Sequence, residues 1–144
     1  MLNLLTGIES TAAALNAERT RLEVTSQNIA NANTSRGLDG QPYRRQSVVF
    51  ETVLKQHQAA LGGASVPSQS VQVSRIEQDK NPPKMIHIPG HPDANADGMV
   101  AMPNINIHEE MVDLMSASRA FEANLAVIKN ARSMALQSLQ IGKH

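Results

Sequence analysis

The chain has 144 residues, 41 % of them apolar, and its 13 basic and 13 acidic residues cancel. That length suits one domain or one assembly subunit, and the even charge offers no basic face for nucleic acid. Cysteine is absent, which excludes disulfides, thiol catalysis and thiolate metal sites, and with two Phe, one Tyr and no Trp the core must come from aliphatic residues.

The N-terminal stretch MLNLLTGIEST has neither a basic n-region nor a long apolar run, so it does not read as a cleaved secretory signal. No segment approaches the ~20 apolar residues of a membrane span. By these rules alone the protein stays where it is made.

Three parts follow in chain order. The first, 1–34, carries Leu5, Ile8, Ala12, Leu15, Arg19, Leu22, Ser26 and Ile29 at alternating spacings of three and four. This is a heptad seam, and it predicts a helix of ~30 residues, ~45 Å long. Asn31, Asn33, Thr34 and Gly37 mark its end. The middle part, 35–105, holds most of the Pro and Gly. β-prone pieces lie at 46–54, 71–76 and 85–88, and LGGASVPSQS reads as a flexible connector. The third part, 106–144, is capped by Asn106 and repeats the heptad spacing through Met111, Leu114, Ser118, Phe121, Leu125, Ile128, Arg132, Ala135 and Leu139. Glu109, Glu110 and Asp113 open it, and Lys129, Arg132 and Lys143 lie toward its end, an order that suits the helix dipole.

The expected fold is mainly α with a small β-rich insert. The long terminal helices form a coiled-coil-like core. Two readings of the seams stay open: an antiparallel helix pair within one chain, or stripes completed by neighbouring subunits. An isolated pair would leave apolar surface wet on each helix. The candidate assembly interface is Leu5, Ile8, Ala12, Leu15, Leu22, Asn28, Ile29 and Asn31 on the first helix. On the second it is Met111, Leu114, Phe121, Leu125, Ile128, Ala135 and Leu139.

Asp93, Asn95, Asp97 and Gly98 spell the first half of an EF-hand loop. Its twelfth position is Asn104, which cannot supply a bidentate carboxylate, and Pro82, Pro83, Pro89 and Pro92 forbid an entering helix. A chain of Asx turns with Gly98 at positive φ fits better. His87 and His91 are separated by Pro89 and Gly90 and cannot share a helical face, so no metal site is assigned to them or to His108. No hydrolase, zincin, phosphate-loop or cofactor motif is present. Gln27, Asn28 and Asn31 sit on the last turns of the first helix, where amides are mediocre helix formers; lateral hydrogen bonds, within the subunit or to a neighbour, account for them.

The stretch TSQNIANANTSRGLDGQPYRRQSVVFE resembles the N-terminal signature of the bacterial flagellar rod–hook axial proteins, in which a helix ends in a pattern like S-x-N-[IL]-A-N-x-x-T. Ser26, Asn28, Ile29, Ala30, Asn31 and Thr34 match it. PDANADGMVAMPNINIHEEMVDLMSASRAFEANL and the ending LQIGK are similar to the same family, so the likeness spans nearly the whole chain. Met99 stands where family members usually carry Tyr. The resemblance implies a structural subunit of the basal body and not an enzyme. It implies export, unfolded and without a cleaved signal, through the flagellar type III apparatus. Helical polymerisation with itself and other flagellar rod proteins then gives a hollow, torque-bearing shaft that crosses the periplasm. A contact with the membrane-embedded base of the motor is also expected; nucleic acid, a direct membrane span and cofactors are not. The terminal segments of the free chain are then expected to be largely disordered. A soluble coiled-coil adaptor or export chaperone is the alternative that shares the heptads.

Overall fold

The computed structural model describes residues 2–57 and 66–141. Two long helices, α1 (Leu2–Ala30) and α2 (Ile107–Ile141), enclose four strands in sequence: β1 (Gln46–His57), β2 (Val66–Gln78), β3 (Lys84–His87) and β4 (Met99–Met102). β1 and β2 pair antiparallel, as do β3 and β4, in two separate two-stranded sheets. The strands outrun the expected pieces. β2 begins at Val66, inside the stretch read as a connector, and β4 lies where only turns were expected. Pro67 is tolerated because a two-stranded ribbon has an open edge. A bulge at Ser74 shifts the register between Val49 and Phe50, which sharpens the twist of the ribbon.

α1 and α2 run antiparallel: Asn28 meets Glu110, while Ile8 and Thr11 share a cleft with Val127 and Met134. α1 also packs against β2 and β1, so it is the middle layer. Asn106 caps α2 as expected. Its Oδ1 accepts the His108 N–H at 3.2 Å and its carbonyl accepts the Glu110 N–H at 3.0 Å. The last turn of α2 among the described residues carries no base. Lys129 and Arg132 stop short of it, and Lys143 lies outside the described residues.

The stripe expected on α2 divides in two. Glu110, Ala117 and Ala131 are buried, and Leu114, Phe121, Asn124, Ile128 and Ala135 are half-buried, at heptad spacing against α1. Met111, Leu125 and Leu139 lie on the neighbouring exposed stripe with Met115 and Leu136. On α1 the buried residues are Ala17, Val24, Thr25 and Asn28. Ile8, Ala12, Leu15, Leu22 and Ile29 are half-buried, whereas Arg19 and Ser26 face solvent. The Leu5 side chain lies outside the described residues. Arg19 instead donates Nε–H to Glu23 at 3.0 Å, one turn on, an exposed pair worth ~0.3–0.5 kcal/mol.

The buried apolar residues among those described are Ala17, Val24, Ala32, Val100, Ala117 and Ala131, all small. Alanines at the α1–α2 contact allow close approach. Several large apolar side chains stay outside, Met115 at 55 % exposure and Leu139 at 59 % among them, and others are only half-buried. A self-sufficient globule buries its large residues first. This chain does the reverse.

Candidate functional site

Two features stand out: a buried polar junction where α1 ends and α2 begins, and the exposed stripe on α2. Asn28 and Glu110 are each about 1 % exposed, the two largest polar side chains so enclosed among the described residues. Asn28 projects from the last turn of α1. Its Nδ2 donates to the Gln46 carbonyl at 2.8 Å and to Glu110 Oε2 at 2.9 Å. Its Oδ1 accepts the Gln46 N–H at 2.9 Å and the Tyr43 hydroxyl at 3.0 Å. An amide has two donor hydrogens and two lone pairs, and all four are used. The side chain therefore pairs with Gln46 as a neighbouring strand would, and so fixes the start of β1 on the end of α1. Flipping the amide would face oxygen to carboxylate and nitrogen to N–H, so only this orientation works.

Glu110 completes the junction from the first turn of α2, where a carboxylate complements the helix dipole. Its other oxygen accepts Arg45 Nε–H at 2.6 Å. Arg45 Nη2 lies 3.8 Å from Asp113, which also accepts Arg21 Nη2–H at 3.2 Å. Burial, and then the nearby Glu110 charge, raise the Tyr43 pKa above its ordinary value, so the phenol stays protonated and donating. All four polar valences of Asn28 are used inside the cluster, and each Glu110 oxygen accepts one bond there. The arrangement holds three chain segments together, α1, residues 43–46 and the start of α2; it presents no nucleophile–base pair to a substrate.

Asn31, expected to bond laterally, donates to Gln27 O of its own helix at 2.9 Å and accepts Thr34 Oγ–H at 3.2 Å. Gln27 is exposed. The sequence picked out Asn28 but not its partners Tyr43, Arg45 and Glu110. One signal was available: Glu110 is polar at a position in phase with Leu114, Ala117 and Phe121.

The Asx-turn reading of 93–98 matches the structure. Asn95 Oδ1 accepts the N–H groups of Asp97 at 3.0 Å and Met99 at 2.9 Å, and Gly98 has φ +71°. Asp93 turns away to accept Ser35 Oγ–H at 2.8 Å, with Arg36 Nη1 at 3.5 Å. The Ser35 bond, reinforced by Arg36 and opposed in part by desolvation, holds the Asp93 pKa below its usual range. Among the described residues no cluster of three His, Asp or Glu is placed to hold a metal ion, and no helix is long and apolar enough to cross a membrane.

A thin core, long paired helices and large apolar residues left exposed define a structural assembly subunit. Comparisons with known proteins make that specific. Residues 8–36 match the family described as flagella basal body rod protein, and residues 96–141 match the C-terminal region of the flagellar basal body rod FlgEFG proteins. The chain is 41 % identical to the flagellar basal-body rod protein FlgC of Borreliella burgdorferi, over 97 % of this chain and 98 % of that one. It is 39 % identical to FlgC of Salmonella typhimurium, over 97 % and 98 %, and 37 % identical to FlgC of Bacillus subtilis, over 92 % and 93 %. The chain belongs to the FlgC family of flagellar basal-body rod proteins. It is a structural subunit of the basal body, assembled with other rod components, and not an enzyme.

Proposed function

We propose that the chain polymerises helically, with copies of itself and with other rod proteins, into the hollow shaft that transmits torque across the periplasm and encloses the export channel. The observation that carries this is the exposed stripe on α2. Met111, Met115, Leu125 and Leu139 are between 37 % and 59 % exposed, in phase with one another over nearly the whole helix. A neighbour's helix laid along it would complete a second coiled-coil seam beside the one α1 occupies. On this reading 1–34 and 106–144 are core-forming units, and 35–105 is a β-rich unit outside them. The half-buried Ile8, Ala12, Leu15, Leu22 and Ile29 of α1, with Leu114, Phe121, Ile128 and Ala135 of α2, then position the helix pair for its neighbours; Leu5 belongs to the same set. Asn28 and Asn31 set the end of α1.

Passage through the flagellar type III export apparatus in an unfolded state, without a cleaved signal peptide, fits a chain with no cysteine to be trapped in an oxidising compartment. Contact with the membrane-embedded base of the motor belongs to the same reading. Leu125→Asp tests it by placing a charge in the proposed seam. The expected result is loss of the rod beyond this subunit and loss of swimming, with the variant still secreted. Normal motility would overturn the assignment.

A further inference from the structure

The exposed stripe on α2 is not apolar throughout. From Met115 to Leu139 it advances in alternating steps of three and four, and between its apolar ends Glu122, Lys129 and Arg132 stand around Leu125. These three charged side chains are exposed and make no hydrogen bond or ion pair with any described residue. Glu122 and Arg132 are ten residues apart, ~15 Å along the helix, too far to meet each other. Charged residues set in an otherwise apolar seam fix the register and direction of a mating helix. Among the described elements α2 packs on α1 alone, so no strand lies over the stripe.

The order of steps from Met115 to Leu139 is the same read forwards or backwards. A second α2 laid antiparallel, with Met115 opposite Leu139, therefore keeps step along the whole stripe. Glu122 then faces Arg132, Leu125 faces Lys129 and Ser118 faces Leu136, and each contact occurs twice. The lysine can rest its aliphatic stem on the leucine and hold its ammonium outside. A parallel mate in register would set Glu122 on Glu122 and Arg132 on Arg132, and like charges brought together repel. Sliding the antiparallel mate by one heptad puts Glu122 against Leu125 or Leu139 and loses the charge match. The stripe is thus its own complement in one direction and one register.

We infer that two free copies of this chain pair through the α2 stripe as an antiparallel, twofold dimer, Glu122 of each on Arg132 of the other and Met115 of each on Leu139 of the other. The same patch serves both partners, so the pair closes on itself and grows no further. The dimer stands without the helical-assembly reading, but its consequence rests on that reading. The stripe that a rod neighbour would cover is already covered, so a paired chain must separate before it joins a rod. Until then pairing shields the exposed apolar residues from non-specific association.

Sedimentation equilibrium of the purified chain tests the pairing. The expected result is a monomer–dimer equilibrium with no larger species. Glu122→Arg or Arg132→Glu alone should weaken the dimer about tenfold or more, and the two together should restore it to within about threefold of the unaltered chain. Both positions are exposed, so circular dichroism of all four chains should match. A strictly monomeric unaltered chain, larger oligomers, or a folded double variant that does not regain the dimer would each overturn the inference. Disulfide trapping gives a second readout, because the chain has no cysteine of its own. Met115→Cys and Leu139→Cys variants are mixed and oxidised mildly. The expected product joins position 115 of one copy to position 139 of the other, a span no disulfide could bridge within one helix. A product joining 115 to 115 in greater yield, or none between 115 and 139, overturns the antiparallel pair. Swimming of the Leu125→Asp strain decides the rod reading separately, so either can fail alone.

Discussion

The two ends of the helix pair are built on different principles. At the junction, where α1 ends and α2 begins, burial is deep and polar: Asn28, Glu110 and Thr25 are enclosed, with the buried Val24 beside them. At the far end, where Ile8 and Ala131 share a cleft, the buried apolar residue among those described is Ala131, and Val127, Met134, Leu136 and Leu139 of the same helix stand exposed. Hydrogen bonds need correct partners at fixed distances, so the junction specifies one geometry within the single chain. Apolar side chains accept any surface of fitting shape, so on the proposed assembly reading the far end is the part that a neighbour completes. On that reading the division lets a subunit keep its shape at one end and join others at the other.

The largest effect should come from breaking the junction. Asn28→Asp removes both donors and sets a second carboxylate against Glu110 where 2.9 Å now separates amide and oxygen. Removing one partner from a buried charged contact costs ~3–5 kcal/mol, so a free chain that the junction keeps folded should lose cooperative thermal unfolding measured by circular dichroism, whereas an unaltered chain with no such transition would favour the disordered termini that the family resemblance implies. Glu110→Gln keeps an acceptor for Asn28 and loses the charge facing Arg45. It should cost less, ~1–2 kcal/mol. If both variants melted like the unaltered chain, the contrast between the ends would be wrong.

Next comes the far end, probed by Leu136→Asp. Leu136 is 52 % exposed, so the free chain should lose no more than ~0.5 kcal/mol. Incorporation into basal bodies, scored by immunoblot of the purified structures, should nevertheless fail. Asn28→Asp and Leu136→Asp should therefore differ in kind: one unfolds the subunit, the other leaves it folded and unassembled.

How much of this was legible beforehand follows from the same contrast. The heptads showed two long helices and the cap at Asn106, because apolar spacing and capping are local signals. They did not divide the stripe on α2 correctly between neighbours. Leu125 and Ile128 look alike in a heptad count, yet one is exposed and the other faces α1. The helix that covers Ile128 lies about a hundred residues earlier in the chain, and periodicity carries no information about it. The junction was half visible. Asn28 stood out as an amide on a helix, but Glu110 passed as an ordinary first-turn acid, and only the fold brings it to Asn28. β4 was missed because four residues after a turn make a signal too short to separate from the turn itself.

A smaller effect is expected in the β3–β4 ribbon, which belongs to neither end. Gly98 has φ +71°, and a Cβ there would meet His87 Nε2 at 2.9 Å. The imidazole is exposed and can move aside, so the cost of Gly98→Ala is chiefly backbone strain, ~1–2 kcal/mol. Hydrogen exchange should show faster opening of β3 and β4 with the junction amides unchanged. Faster exchange at Gln46 as well would mean that the ribbon and the junction are one unit.

Acid provides the mildest probe. Asp93 carries a pKa below its ordinary value because Ser35 and Arg36 favour its charged form. A lowered carboxylate pKa contributes stability that is present above the unfolded value near ~3.9 and is lost as pH falls through the folded value. Asp79, with the Asn81 N–H and side chain bonded to its carboxylate, is shifted the same way and should behave likewise. Both belong to the middle unit beside the junction. Beyond Glu122, α2 has no Asp or Glu at all. Titration below pH 4 should therefore loosen the Ser35–Asp93 tie and the 79–81 turn before it affects the far half of α2. Ser35→Ala and Asp93→Asn should each remove part of the acid dependence that NMR shifts report for residues 35–36. If the amides of 123–141 responded first, the far end would have to draw its stability from carboxylates that α2 does not carry there.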